Sequence, residues 1–429
     1  MTTLQVAGGR VLHPDMTVSR GDVLVDRDAG DIVAVGDVPA GDETLDAEGC
    51  LVMPGLVNAH THVAMTLLRG YAGDKPLDRW LREDIWPAEA ELTPADVRAG
   101  AELGVVEMLK TGTTAFSDMY FHVEELADAV ERAGLKAVLG HTAVTVGKDA
   151  DAAEADVAQS LAVARDLDGA ADGRIRTTVQ PHSLTTVSES GLRDLAEGAR
   201  DGDIPLHLHA NETTGEVDPL VDERGERPLS WADDLGLLGD RDVLAHCVHV
   251  DESEIDLLAE RGTAVAHCPA SNMKLASGLA PVQAMRDAGV TVALGTDGAA
   301  SNDDLDMFDE LRDAAMVGKV AADDAAAVDA ASAVEMATAG GADALGLDAG
   351  RVEAGLAADL AVVDLEAPHL TPVHDPVALV AYAARGADVR HTVCDGEVLV
   401  RDGEVLPLDE AAVRERAAER AAALAERAG

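Results

Sequence analysis

The chain has 429 residues, 47% of them hydrophobic, which allows one domain of about 250 residues together with a smaller one. It carries 80 acidic and 33 basic residues, a formal net charge of −47, so its surface repels nucleic acid and anionic membranes and favours a small molecule as partner. It has neither an apolar run of membrane-spanning length nor a secretion signal at its start, so we expect a cytoplasmic protein.

The acidic residues are distributed along the whole chain, and lysines are few. This composition is similar to that of proteins from salt-loving archaea, where concentrated salt screens the repulsion between carboxylates. We therefore expect a halophilic source.

Short apolar segments that end in polar residues alternate with segments of helical period along most of the chain. The strand pattern occurs at 51–62, 113–119, 136–143, 175–182, 204–209, 243–250, 263–268 and 290–296. Helical segments between them include 94–110, 123–133, 151–166, 188–199 and 253–260. This alternation predicts an α/β fold, a TIM-like (β/α)8 barrel over residues 51–351.

The two ends of the chain do not follow this alternation. Residues 1–50 and 352–405 consist of short β-like runs with turn signals, and we predict that they pair into one small β-sandwich domain beside the barrel. The tail, 406–429, is rich in Ala, Arg and Glu and predicts an exposed C-terminal helix.

Polar side chains stand where the predicted barrel strands end. They are His60, His62, Asp118, His141, His182, His209, Glu212, His246, His267 and Asp297. The carboxyl ends of barrel strands meet at one rim, where active sites of this fold lie. We therefore expect these side chains to surround a single site.

A metal site is the first interpretation of this set. His60 and His62 lie two apart on a strand, so both side chains share a face and can chelate one divalent ion, although a hydrogen-bonded core pair is the alternative. The segment LHLHANET supplies a third imidazole, from His207 or His209, and GTDG supplies Asp297. Three imidazoles and a carboxylate suit Zn²⁺ or Fe²⁺ in a hydrolytic site.

The chain resembles the amidohydrolase superfamily in these residues, and three longer segments are similar to the 5-methylthioadenosine/S-adenosylhomocysteine deaminases. These segments are NAHTHVAMTLLRGYAGDKPLDRWLREDIWPAEAEL, HCPASNMKLASG and GTDGAASNDDLDMFDEL. The resemblance covers nearly all of the chain, including the β-domain formed by both ends. Within this group, a 5′-deoxyadenosine deaminase of a halophilic archaeon is one identity that the resemblance allows.

The resemblance implies a role for each matching residue. The implied metal ligands are His60, His62, His209 and Asp297. Glu212 would carry a proton from water to the ring nitrogen, and His246 would stabilise charge that develops at C6 of an adenine ring, while Asp297 orients the attacking hydroxide. The expected reaction is hydrolytic deamination of an adenosine derivative to the inosine analogue and ammonia.

The expected cofactor is one Zn²⁺ per chain, with Fe²⁺ as the alternative. Binuclear members of the superfamily use a carboxylated lysine at the end of the fourth strand, but this strand ends in TTVQPHSL and has no lysine. His207 lies one layer deeper than His209 and is interpreted as a packed histidine or one that supports a ligand.

Further residues are expected to contact the substrate. Five of the nine aromatic residues follow the first two strands, and they either stack on a planar base or pack the loops: Tyr71, Trp80, Trp86, Tyr120 and Phe121. Among them Trp86 is the predicted base contact. By the resemblance, Glu89 binds the ribose hydroxyls and His182 the purine or ribose, with Glu212 and Asp297 also touching the substrate.

One departure from the family pattern concerns the 5′ group. The family usually has an arginine after the third strand that can hold a carboxylate, and this chain has His141 there, which we expect to contact the substrate. A neutral histidine offers no comparable bidentate contact. We therefore expect a preference for 5′-methylthioadenosine, 5′-deoxyadenosine or adenosine over S-adenosylhomocysteine.

Two other functions stay open at this point. A related amidohydrolase could act on guanine, cytosine or a triazine with the same metal site, and a third hypothesis is a metal-binding protein without catalysis. Retention of Glu212 and His246 argues against the last, since storing a metal needs neither. We expect a homo-oligomer, with no nucleic-acid or membrane partner.

Overall fold

The computed structural model describes residues 2–429. Its strands are β1 (Thr3–Ala7), β2 (Arg10–Leu12), β3 (Val18–Arg20), β4 (Asp22–Asp26), β5 (Asp31–Gly36), β6 (Glu43–Asp46), β7 (Cys50–Pro54), β8 (Leu56–His62), β9 (Thr113–Tyr120), β10 (Lys136–Ala143), β11 (Ile175–Thr177), β12 (Gln180–Pro181), β13 (His207–Ala210), β14 (Val243–His246), β15 (Ala264–His267), β16 (Val292–Leu294), β17 (Asp297–Gly298), β18 (Leu360–Asp364), β19 (Val389–Cys394), β20 (Glu397–Arg401) and β21 (Glu404–Val405).

The α-helices are α1 (Leu77–Trp80), α2 (Trp86–Glu89), α3 (Pro94–Lys110), α4 (Val123–Ala133), α5 (Ala150–Asp166), α6 (Glu189–Gly202), α7 (Thr214–Arg224), α8 (Pro228–Asp234), α9 (Glu252–Arg261), α10 (Pro269–Lys274), α11 (Val282–Asp287), α12 (Met307–Ala322), α13 (Ala330–Ala337), α14 (Ala339–Ala344), α15 (Pro376–Tyr382) and α16 (Glu410–Ala428). Short 3₁₀ helices span Val63–Leu68, Pro368–Leu370 and Gly386–Asp388, and one π-helical turn spans Leu81–Ile85.

Parallel strands close into the predicted (β/α)8 barrel. One run pairs β17, β8, β9, β10 and β11, with β12 also on β10, and a second run pairs β13 to β16 in order. Bridges from Val179 to Leu206 and from Ser183 to His209 join the two runs at the fourth position. The eighth position is divided, because β16 pairs with β15 whereas β17 pairs with β8. The ring is thereby complete.

Local sequence explains how individual barrel elements begin and end. Every residue of β8 and β9 is buried, as expected for parallel strands covered by helices on the outside. Helix α3 begins with a capping box between Thr93 and Asp96, with Pro94 in its first turn. Helix α4 ends at Gly134, whose φ of 85° lies in the left-handed region that glycine tolerates best.

Two further sheets are built from both ends of the chain. One has the order β5-β4-β1-β6, and the other has the order β21-β20-β19-β18-β7-β2-β3. Between them lies a separate apolar core to which β1, β4, β7, β18 and β19 all contribute, for example through Leu4, Val25, Val52, Leu360 and Val393. This is the small β-domain that the sequence predicts.

The structure divides the segment that the sequence predicts as one strand, 51–62. Its first part, β7, pairs antiparallel with β18 of the β-domain, and its second part, β8, belongs to the barrel. The break falls at Gly55, where an added Cβ would lie only 2.2 Å from the Thr114 hydroxyl, so no larger residue fits. We propose Gly55 as the boundary between the two domains.

The C-terminal helix α16 is not exposed on all sides. It packs on α3 and buries Val413, Ala417 and Leu424, three small or medium apolar residues along one stripe. Within residues 2–429, no helix has both the length and the apolar character needed to cross a bilayer.

The charge of the folded chain predicts that salt stabilises it. Acidic residues outnumber basic residues by 47, so a large negative charge remains after all opposite charges are balanced. Screening reduces their mutual repulsion, since the Debye length falls from about 10 Å at 0.1 M salt to about 3 Å at 1 M. We expect the thermal unfolding midpoint, followed by circular dichroism, to rise steeply with KCl and to gain most of its increase below about 1 M, where screening saturates.

Sucrose at matched osmolality is the control, because it favours burial without screening charge. Full stability in dilute buffer, or an equal rise with sucrose, would contradict this account.

Candidate active site

Four side chains converge at the carboxyl end of the barrel. They are His60, His62, His209 and Asp297, all buried, and their potential ligand atoms lie within 4.8 Å of one another. Asp297 Oδ1 is 3.2 Å from His62 Nε2 and 3.6 Å from His60 Nε2. His209 Nε2 is 3.2 Å from His62 Nε2. The structure thus brings together the whole ligand set that the sequence resemblance implies.

Backbone carbonyls determine which nitrogen two of these histidines present. His62 Nδ1 lies 2.5 Å from the carbonyl oxygen of Met119, and His209 Nδ1 lies 2.8 Å from that of His182. A carbonyl only accepts, so both Nδ1 atoms carry a proton, and both Nε2 atoms face the cluster. This arrangement is typical of histidines that bind a metal.

His60 is supported by a different chain of contacts. Its Nδ1 is 3.1 Å from His207 Nε2, and His207 Nδ1 is 3.1 Å from the Ser117 hydroxyl. His207 therefore lies beneath a member of the cluster and is not part of it, which is the place that strand spacing indicates. His60 Nε2 is buried and has no hydrogen-bond partner among residues 2–429.

Two serines hold Asp297. The hydroxyls of Ser271 and Ser301 donate to Oδ2 at 2.6 and 2.8 Å, so Oδ1 remains free to face the imidazoles. The backbone of Asp297 has a φ of 57°, and His246 has a φ of 73°. Such left-handed conformations cost energy for non-glycine residues and persist where the surrounding structure enforces them.

The cluster fits a divalent ion. Zinc–nitrogen distances of ~2.0–2.1 Å in a tetrahedral site put neighbouring ligands about 3.3 Å apart, close to the spacing seen here. Burial lowers the pKa of His60 to about 4 and that of His209 well below its usual value, so both are neutral, as a metal ligand must be. Burial also lowers the pKa of His62, but the Asp297 carboxylate outweighs it and raises the pKa to about 9, so an ion binding here would displace a proton from His62. A bound ion would also explain why the buried Nε2 of His60 has no hydrogen-bond partner among the described residues.

The fourth barrel strand, residues 175–182, contains no lysine. Gln180 stands there, and its amide donates to the carbonyl of Asp118 at 2.8 Å and to the Thr178 hydroxyl at 2.9 Å. These contacts make Gln180 part of the barrel interior. The side chain of Gln180 thus has hydrogen-bond partners of its own inside the barrel.

Glu212 and His246 lie beside the cluster. Glu212 Oε2 is 3.8 Å from His246 Nε2, and the other oxygen accepts a long hydrogen bond, 3.4 Å, from the Ser277 hydroxyl. Asn272 Oδ1 is 3.0 Å from His246 Nδ1 and so orients the ring with Nε2 towards Glu212. Burial raises the pKa of Glu212. An acid–base group and an imidazole therefore share one small space.

A cavity of about 750 Å³ opens over these groups. Members of the cluster form its floor, and its wall includes the predicted substrate contacts Trp86, Glu89, His141 and His182, together with Glu212 and His246. Trp80, Tyr120 and Phe121 also line it, whereas Tyr71 does not. The volume and the mainly apolar lining are those of a small-molecule site.

Residues 77–92, here called the wall segment, form one side of the cavity. The segment passes from α1 through the π-helical turn into α2, which ends at Glu89. Burial raises the pKa of Glu89 to about 7, although the nearby Tyr120 hydroxyl acts in the opposite direction. The segment leaves Trp86 40% exposed at the opening.

At the far side of the cavity, His141 is part of an ion-pair network. Asp156 accepts from His141 Nε2 at 3.0 Å, from the Lys148 ammonium at 2.8 Å and from the Val144 amide at 2.7 Å. Burial raises the pKa of Asp156, but these hydrogen bonds outweigh it and bring the pKa to about 2. Asp156 is therefore ionised and neutralises Lys148.

Several residues around the site were not singled out by the sequence: Ser271, Asn272, Ser301 and Asp156. The first two stand in HCPASNMKLASG and the third in GTDGAASNDDLDMFDEL, so the motifs contained them, but only the fold shows which group each one holds. His249 Nε2 lies 2.7 Å from the Ser277 carbonyl. His267 and Asp118, which the sequence places at the rim, are buried and do not line the cavity.

Known proteins share this architecture. The amidohydrolase family model matches residues 51–399. A 5-methylthioadenosine/S-adenosylhomocysteine deaminase from Halobacterium salinarum is 70% identical over 427 residues, covering 100% of this chain and 99% of the relative. A 5′-deoxyadenosine deaminase from Methanothermobacter thermautotrophicus is 45% identical over 411 residues, 95% of each chain.

A zinc-bound crystal structure of an adenosine deaminase from Xanthomonas campestris superposes on this chain with a TM-score of 0.93 at 38% identity, covering 99% of both chains. Together with the sequence matches, this likeness extends over both the barrel and the β-domain. The chain belongs to the amidohydrolase family and, within it, to the group of 5-methylthioadenosine/S-adenosylhomocysteine deaminases.

Proposed function

We propose that this protein is a metal-dependent hydrolase that converts adenosine derivatives to the corresponding inosine analogues and ammonia. The observation that carries the proposal is that Glu212 and His246 lie beside the four-ligand cluster. Both line a cavity that is large enough for a nucleoside. Relatives named as deaminases of such nucleosides support it. A protein that only stores metal would need neither group.

The proposed cofactor is one Zn²⁺, with Fe²⁺ as the alternative, held by His60, His62, His209 and Asp297. When bound, it supplies Lewis acidity and lowers the pKa of water. The rest of the chemistry belongs to side chains of the chain. Asp297 Oδ2 is held by two hydroxyl donors, so its carboxylate is fixed in place and can accept a hydrogen bond from the attacking water.

Glu212 is the proposed proton carrier. Its carboxyl group is buried, faces the cavity and has only one weak hydrogen bond, to Ser277, so it is free to take a proton from water and deliver it to the ring nitrogen next to C6. His246 presents Nε2 to the same space, where it can stabilise the charge that develops at C6. Glu212 can pass the second proton of the attacking water to the exocyclic amine, which then leaves as ammonia.

The upper cavity suits the remainder of a nucleoside. Trp86 offers an aromatic face at the opening, and Glu89 offers a half-buried carboxylate on the cavity wall that can accept from two ribose hydroxyls. His182 Nδ1 is 2.9 Å from the Thr186 hydroxyl, which leaves Nε2 as its second polar atom for a substrate. We assign these three residues to substrate binding.

The 5′ group is proposed to be small or uncharged. Lys148 is the basic residue on the cavity wall, but Asp156 already neutralises it. Lys136 cannot help, since its ammonium is bound by Asp359 and Asp395, both at 2.6 Å, beside the β-domain. An amino-acid carboxylate at the 5′ end would therefore meet no free positive charge here.

A panel of nucleosides tests the reaction and the 5′ preference together. We expect 5′-methylthioadenosine, 5′-deoxyadenosine and adenosine to show the ultraviolet change from adenine to hypoxanthine, each with a higher kcat/KM than S-adenosylhomocysteine. A clear preference for S-adenosylhomocysteine would overturn the proposed 5′ selectivity. Turnover of guanine, cytosine or a triazine in place of every adenosine derivative would overturn the reaction itself.

The variant Asp156→Asn tests the reason for this selectivity. Asparagine can still accept from the Val144 amide, but it no longer neutralises Lys148. We expect kcat/KM for S-adenosylhomocysteine relative to 5′-deoxyadenosine to rise about fivefold, the equivalent of the ~1 kcal/mol of a partly exposed ion pair. The control, Asp156→Asn combined with Lys148→Met, should lose that gain; if the gain persists, Lys148 is not its source.

The variant Glu212→Gln tests the proton carrier. Glutamine keeps the shape of the side chain but cannot transfer the proton, so ammonia release should fall by about 10²–10⁴-fold while bound metal stays at the wild-type level. Glu216→Gln is the matched control, because Glu216 accepts from the Glu212 amide at 2.9 Å and glutamine can do the same. Full activity of Glu212→Gln would refute the mechanism.

Metal content tests the single-ion prediction. We expect elemental analysis of the purified protein to return one equivalent of zinc or iron per chain, and a chelator to remove both the metal and the activity. Re-addition of either ion should show which one restores more activity. Two equivalents per chain would contradict a site built from one set of four ligands.

A further inference from the structure

The C-terminal helix reaches the wall of the substrate cavity. Helix α16 contacts α2 as well as α3. Its buried residue Leu424 belongs to the same apolar cluster as Trp80, Ile85 and Ala88 of the wall segment. The end of the chain therefore packs directly behind the residues that carry Trp86 and Glu89.

Arg427 makes polar contacts at this junction. One guanidinium nitrogen, Nη2, is 2.6 Å from Asp96 Oδ2 and 3.1 Å from the carbonyl oxygen of Glu91, and Nε is 3.3 Å from the same carbonyl. Asp96 is fully buried, and its Oδ2 also accepts from the Thr93 amide at 2.9 Å and the Thr93 hydroxyl at 2.6 Å. One arginine thus joins α16 to the start of α3 and to the end of the wall segment.

The carbonyl of Glu91 is well placed to influence the substrate. Its two neighbours in sequence, Ala90 and Leu92, both line the cavity, and Glu89 is only two residues away. The Leu92 amide donates to the Glu89 carbonyl at 3.1 Å, so the short turn between them is continuous. A contact that fixes Glu91 therefore fixes the backbone that carries Glu89.

The wall segment is one helical stretch with an irregular middle. Its two α-helical parts, α1 and α2, have four residues each and are joined without a break by the π-helical turn. A π-helical turn interrupts the regular hydrogen-bond ladder, and a helix of this length is marginally stable in isolation. Charge-assisted hydrogen bonds from α16 therefore add to the order of the C-terminal end of the segment.

We propose that Arg427 is a positioning residue for substrate binding: through the Glu91 carbonyl and Asp96 it holds the wall segment so that Glu89 and Trp86 face the nucleoside. The inference rests on the proposed function, since it assumes that this cavity binds the nucleoside. Arg427 touches neither the substrate nor the metal ligands, so its effect falls on substrate binding and leaves the metal site intact.

Kinetic comparison of Arg427→Ala with two matched variants tests this role. Arg416 also joins α16 to α3, through buried Glu102, but makes no contact with the wall segment, and Arg414 is an exposed arginine of the same helix. We expect Arg427→Ala to raise KM for 5′-methylthioadenosine about tenfold with kcat within about twofold and with unchanged metal content. Arg416→Ala and Arg414→Ala should leave KM within about twofold, and Arg427→Lys should recover part of the loss.

Hydrogen exchange supplies a readout that does not depend on activity. Peptides covering residues 86–92 should exchange faster in Arg427→Ala than in Arg416→Ala at equal global stability. An active Arg427→Ala variant whose KM matches that of Arg416→Ala overturns the inference and leaves the proposed function standing. If the wild-type protein deaminates no adenosine derivative, the proposed function is overturned. In that case, equal exchange of residues 86–92 in Arg427→Ala and Arg416→Ala overturns the ordering role of Arg427 as well.

Discussion

Three imidazoles and a carboxylate converge at the carboxyl end of the barrel, where all four are buried. Hydrogen bonds from the surrounding structure hold them in that geometry. A carbonyl on β9 and another after β12 hold two of the imidazoles, a deeper histidine holds the third, and two hydroxyls hold the carboxylate. Without such outer contacts each ring could rotate or change tautomer, and the four ligand atoms would no longer meet. The barrel supplies these contacts because its strands end at a common rim.

The fold could be predicted from the sequence because polar residues recur at the ends of apolar segments with regular spacing. The division of segment 51–62 could not, because β7 and β8 are both fully buried and the break at Gly55 lies within an apolar run, residues 50–57. Burial against two different cores leaves the same pattern as burial against one. The packed face of α16 was missed for a related reason: an alanine-rich stripe has too little apolar contrast to mark it.

The ligand set could be predicted because strand period and motif spacing determine which side chains share a face. The residues that orient them could not, since Ser271 reaches Asp297 and Asn272 reaches His246 across different strands. Asp156 is similar. Its sequence position, in the middle of a helix rich in acids, gives no sign that it neutralises Lys148. Pairings of this kind depend on tertiary contacts between segments that are far apart in the chain.

The divided eighth strand position has a consequence for the architecture as a whole. Its second part, β17, pairs with β8, so Asp297 lies beside Thr61 between the two histidines of the first barrel strand. The seam at which the barrel closes is therefore also the place where the first and last strands supply ligands to one centre. An ion bound there would link residues 60 and 297 and so close a loop that spans most of the barrel. The strand pairing that completes the ring therefore also brings ligands from the first and last strands within reach of one ion.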